Sequence, residues 1–284
     1  MPGDNPNAIR LTCRMICKLR LFACSVALFF PCAFAVAQGT PLTKEEIAGA
    51  DRTDDFSIPM PAELMAALTK QGKLDWASKF RAPIPTDYQS RAQLALNLGT
   101  LVADGFIAVE AQDARQVKNL GKDILQIAKN LGVSKDVLMR GSSITDFAER
   151  KQWDQLKEEL EATQNEVKES MNEGKDSDLI TLVTVGGWVR GVEVISGHIA
   201  ANYNDASARI LRQPEIVSYL SKKLDALPAK VRDEPRVKTT RVKLMEIGKL
   251  VACPRDEAPS AASVKRLNEL TSELVAAFAK KDTK

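Results

Sequence analysis

Four side chains able to do chemistry stand where the surrounding sequence is apolar. Asp104 interrupts LVADGF and Arg190 interrupts GGWVRGV, with Trp188 just before the arginine and Glu193 one helical turn after it. An ionised group is seldom buried alone, because the water it loses must be replaced by a counter-charge or by hydrogen bonds. Asp104 or Glu193 is therefore expected to pair with Arg190. The plainer form of that pairing is an inter-helix salt bridge that fixes register. The functional form is a ligand pocket between two long helices, in which Arg190 holds an anion, Asp104 or Glu193 opposes it, and Trp188 supplies an aromatic wall. Carboxylate chemistry in the same cleft is the alternative: paired acids drawn from Asp104, Glu110 and Glu193, with perturbed proton affinity, would serve a hydrolase or lyase.

Other chemistries lack their residues. His198 is the single histidine of the 284-residue chain, so any serine or cysteine triad would have to use it. No Gly-x-Ser-x-Gly elbow accompanies it, and a histidine near a helix end suits the helix dipole without any catalytic role. A di-iron bundle needs Glu-x-x-His on two helices, and covalent haem needs Cys-x-x-Cys-His. The acidic cluster KDSD (175–178) lacks the spaced loop of a calcium-binding EF-hand. VGGWVRG has three glycines but no Lys-Ser/Thr ending, and packing explains them better than a phosphate loop does. The sequence thus assigns no catalytic residue, no metal ligand and no cofactor.

The elements that must position these side chains read as helices throughout. PAELMAALTKQG carries proline at the first turn and Gly72 at its end, the asymmetry of a short helix. After the proline-interrupted RAPIPTDY, with Thr86 or Asp87 as the expected cap, apolar residues recur at helical spacing from 87 to about 112. Small residues along it, among them Gly99 and Gly105, would admit a second helix closely. A turn at Asp113 leads to a helix ending at Gly132, Ser134 and Ser142 or Ser143 open short helices, and Trp153, Leu156, Leu160, Val167 and Met171 share one face of a charged amphipathic helix. The almost wholly apolar stretch from Asp178 to Tyr203, with Gly186, Gly187, Gly191 and Gly197 embedded, is expected to be a central buried helix. Three more follow at 213–224, 237–252 and 260–280. The strand-like alternation of RVKTTRVK continues as helix-like LMEIGKLVA, so the whole segment is read as helix. LVADGFIAVEAQDA and WVRGVEVISGHIAA share small residues, yet a solenoid repeat of about 34 residues is matched only by fragments. The expected fold is all-α: a multi-helix bundle or helical-hairpin array of about eight helices.

Ahead of that domain, Arg10, Arg14, Lys18 and Arg20 flank an uncharged run from Leu21 to Ala37 that ends in small residues at alternate positions. This is the pattern of a secretory signal peptide cut after Ala37; at seventeen residues with Pro31 inside, the run is short for a membrane span. The expected organisation is a signal peptide at 1–37, a flexible linker at 38–60 and a single helical domain at 61–284. Removing residues 1–37 takes four of the five cysteines, leaving Cys253 and no internal disulfide. It also takes four bases and one acid from totals of 40 and 37, leaving 36 of each. A neutral domain has no global field for nucleic acid or an anionic membrane. The charges are nonetheless segregated: ten acids against five bases from Glu149 to Asp178, and nine bases against four acids from Lys222 to Lys249. These stretches are read as solvated faces, or as faces that meet each other.

Together these features lead us to expect a periplasmic or secreted helical protein that is non-enzymatic, an interaction module or small-ligand binder. Its partner would be a protein or small molecule, with no nucleic acid and no stable membrane insertion after cleavage. The carboxylate enzyme is one alternative, and an envelope protein that assembles through its glycine-rich helix is another.

Overall fold

The computed structural model describes residues 61–281 except Gln71, Lys73 and Lys175. The expected signal peptide and linker lie outside the described residues, among which every regular element is a helix. In chain order they are α1 (Pro61–Thr69), α2 (Arg91–Glu110), α3 (Ala114–Leu131), α4 (Lys135–Met139), α5 (Gly141–Glu149), α6 (Trp153–Glu173), α7 (Ser177–Ala201), α8 (Asp205–Ala208), α9 (Pro214–Asp225), α10 (Ala229–Arg232), α11 (Pro235–Val251) and α12 (Ala261–Ala279). Single 3-10 turns sit at Ala77–Lys79 and Arg209–Leu211. Nine of the twelve helices described are nine residues or longer, close to the expected number; α4, α8 and α10 are one-turn pieces too short to show a period.

Local signals account for most boundaries. Asp113 caps α3 by accepting from the Gln116 amide at 2.9 Å, and Gly132 ends it at φ +86°, a left-handed conformation that glycine adopts without strain. Prolines open α9 and α11, where the missing N–H has no helical partner to lose. Two starts differ from expectation: α5 begins at Gly141, after Arg140 and ahead of Ser142 and Ser143, and α2 starts at Arg91, capped by Ser90, whose hydroxyl accepts from the Gln93 amide at 3.1 Å. Asp87 is instead drawn to Lys281, 2.6 Å away.

The core is built around α2 and α7. A Cβ on Gly99 would lie 2.0 Å from the Val183 carbonyl oxygen, and one on Gly186 would lie 2.0 Å from that of Leu96. The two backbones therefore touch, a separation that only hydrogen side chains permit. Both helices are long and apolar enough to cross a membrane, yet 94% and 78% of their apolar windows are buried inside the molecule. Helices α3, α5 and α6 cover one side of this pair, while α12 packs along α7 and carries α11 and α9. The result is a bundle about a central pair rather than a stack of equivalent hairpins.

The two charge-biased stretches satisfy their ion pairs separately. Arg140 binds Glu159 and Glu166, Lys157 binds Glu110, and Arg91 binds Asp176. On the basic stretch, Arg241 pairs with Asp225, Lys243 with Glu273, and Arg266 reaches Glu246. Local neighbours within reach of each side chain, rather than the opposite stretch, supply the counter-charges.

Candidate functional site

The crossing of α2 and α7 brings Asp104, Arg190 and Glu193 together. Arg190 is 5% exposed and Asp104 6%. The guanidinium donates through Nε to Asp104 Oδ1 at 2.8 Å, through Nη1 to Glu193 Oε2 at 2.8 Å, and through Nη2 to the Lys79 carbonyl at 2.8 Å. Burial works against its charge, but the Asp104 and Glu193 carboxylates outweigh that and push its pKa up. The second oxygen of Asp104 accepts from Arg81 Nε at 2.7 Å, and Arg81 also donates to the Thr100 hydroxyl at 2.8 Å. With every nitrogen of Arg190 engaged by the protein, the arrangement is a filled inter-helix salt bridge.

Trp188 is not part of it. Two residues before Arg190, it lies about 200° around the helix, and its indole N–H donates to Gln213 Oε1 at 2.9 Å, at the start of α9. Glu110 is also elsewhere, paired with Lys157 at 2.6 Å. His198 lies on the far end of α7 beside Asn202 and Asn204, its pKa lowered by partial burial and by Lys79. Arg81 was not singled out by the sequence, because the RAPIP segment has no periodicity against which a buried charge stands out.

Open space lies on either side of α3. Toward the Arg81–Asp104 pair is a polar crevice of about 60 Å³, where Gln116, Asn119 and Asp123 face the segment Phe80–Pro83. Partial burial raises the Asp123 pKa, with Lys122 opposing. On the other side is a cavity of about 160 Å³, partly open to solvent, lined by α2, α3, α5, α6 and α7. Leu98 and Val102 of α2, Ile124 of α3 and Ile144 of α5 form three walls; Leu160 and Val167 of α6 close the outside.

Polar atoms on this wall are few. The hydroxyls of Thr145 and Thr163 donate to the carbonyls one turn back, Gly141 at 2.9 Å and Glu159 at 2.7 Å. Among the described residues the buried Gln164 carboxamide oxygen has no hydrogen-bond partner. Gly121 of α3 lines the cavity with nothing within 4 Å of where its Cβ would stand. The sequence carries a trace of this cavity. On the apolar face of α6, the turn between Leu160 and Val167 is occupied by Thr163 and Gln164, a gap where a closed core would place another aliphatic residue. Its remaining lining residues look like ordinary core positions. Among the described residues no group of acids, histidine and cysteine is placed to hold a metal ion. No family model, no curated protein and no solved structure matches this chain.

Proposed function

We propose that the chain is an exported, non-enzymatic binding protein that holds a small apolar molecule in the cavity between α2, α3, α5, α6 and α7. The observation that carries the reading is the cavity itself: about 160 Å³ of space walled almost entirely by aliphatic side chains. A cavity of roughly 150 Å³ with such walls stays dry and takes up benzene. Leaving apolar space unfilled costs about 24 cal/mol per Å³, so full enclosure of this volume would forfeit about 4 kcal/mol. This space is partly open, so a ligand that fills it gains a part of that through the apolar surface it buries. The charged residues of the fold support a binding rather than a catalytic role, because Asp104, Glu110 and Glu193 are each matched to a cation. The glycines of α7 are used within the molecule, Gly186 against Leu96 and Gly197 beside Asn268, and so do not favour assembly through that helix. Export rests on the basic flank and uncharged run from Arg10 to Ala37.

Thermal denaturation of the purified protein with toluene or benzyl alcohol tests the reading. Binding at ten times Kd stabilises by about 1.4 kcal/mol, a shift of a few degrees for a domain of this size. Gly121→Leu should fold, since open space surrounds its Cβ and leucine favours the helix, but it should abolish the shift by filling the entrance. Absence of a shift in the parent protein, or an undiminished shift in Gly121→Leu, would overturn the proposal.

A further inference from the structure

Resting on that reading, we infer that the ligand is an amphiphile of single-ring size carrying one anionic group, which sits at the rim of the cavity against Lys118 and Lys122. Among the described residues these two lysines are the only ionisable ones on the cavity wall, which there carries positive charge and no acid. They are four residues apart on α3, one turn of helix, and Gly121 lies between them with open space about it. Both are exposed, so a head group there keeps its water while the apolar body enters the cavity. Lys118 is matched by Glu149 at 2.9 Å. No ion pair reaches Lys122 among the described residues; its neighbour Asp123 lies against the polar crevice on the other face of α3. The site thus combines an aliphatic interior, a side-chain-free gap and, at the rim, a cation held in no salt bridge among the described residues, with only the longer-range attraction of Asp123 acting on it. A carboxylate is the simplest head group with this chemistry; a neutral alcohol gains nothing from Lys122, and an ammonium is repelled.

Benzoate, benzyl alcohol and benzylammonium share one ring and differ in head-group charge, so calorimetry with the three on the purified protein isolates the effect. Benzoate should bind about fivefold tighter than benzylammonium at low salt, the size expected of one exposed charge contact. The difference should fade near 1 M salt, where screening extends over only about 3 Å. Lys122→Glu, an exposed substitution that leaves the interior intact, should invert the order while leaving benzyl alcohol unchanged. If benzyl alcohol binds and Gly121→Leu blocks it, yet benzoate and benzylammonium bind alike, the charge selectivity is refuted and the cavity reading stands. If none of the three binds, the cavity reading falls, and this inference with it.

Discussion

Arg190 shows how one residue can look functional and be consumed by the fold. Its three donor nitrogens are spent on Asp104, Glu193 and the Lys79 carbonyl, and it is almost wholly out of water. Removing one member of a buried pair leaves the other charge uncompensated, which costs about 3–5 kcal/mol, whereas removing both costs far less. Arg190→Met is expected to destabilise by that amount in urea titration. Arg190→Met with Asp104→Leu should recover part of the loss, since Arg81 and Glu193 keep partial access to solvent. A single-mutant loss below about 1 kcal/mol, the range of exposed pairs, would show that the network is dispensable. The pairing of Asp104 with Arg190 was legible because each breaks an apolar run. The separation of Trp188 from Arg190 has an equally simple cause: residues two apart on a helix point to nearly opposite sides, so closeness in sequence is not closeness in space.

Among the elements, α6 is a weakly anchored wall of the cavity. Of its described residues only Leu156 and Met171 are fully buried, whereas α2 buries seventeen of its twenty. Arg140, just ahead of α5, holds α6 from outside by binding both Glu159 and Glu166. Amides of α6 should therefore exchange hydrogen sooner than those of α2 and α7. Arg140→Ala should speed exchange in α6 several-fold and leave the central pair unchanged, as read by mass spectrometry of peptic fragments. Unchanged exchange in α6 would mean that its apolar contacts alone hold the wall. Helices of this length were readable from periodicity and caps: Asp113, Gly132 and the two opening prolines mark ends that the fold uses. The cavity was not, because its lining comes from five helices whose contributions each look like core. Only the polar gap at Thr163 and Gln164 distinguishes that face, and without the packing of α3 and α5 it has no location.

At the scale of the whole molecule, the chain is closed by its own C-terminal helix. The last carbonyls of a helix have no partner within it, and here side chains from distant elements supply them. Gln93 donates to the carbonyls of Phe278 and Lys280 at 2.8 and 2.9 Å, and Asn97 donates to Phe278 at 2.7 Å. Tyr88 reaches Ala279 at 2.9 Å, and Arg236 reaches Ala277 at 3.1 Å. Burial lifts the Tyr88 pKa to about 12, which keeps that hydroxyl a donor at any ordinary pH. Phe278 itself is fully buried. Ending the chain after Ala276 would remove the phenyl ring, at about 3–5 kcal/mol, and strand the buried Gln93 amide, at about 1–3 kcal/mol, while Asn97 keeps its bond to the Gln93 carbonyl. Against the 5–15 kcal/mol that stabilise a typical domain, that loss is large enough to unfold the protein or bring it to the edge of unfolding. Circular dichroism of the shortened chain should therefore show a collapsed melting transition. Phe278→Ala in the full chain separates the two contributions: it removes the ring and keeps every carbonyl, so it should fall between the parent and the truncation. If the truncated chain melts with the parent, the clamp contributes nothing, and the α2–α7 crossing alone carries the fold.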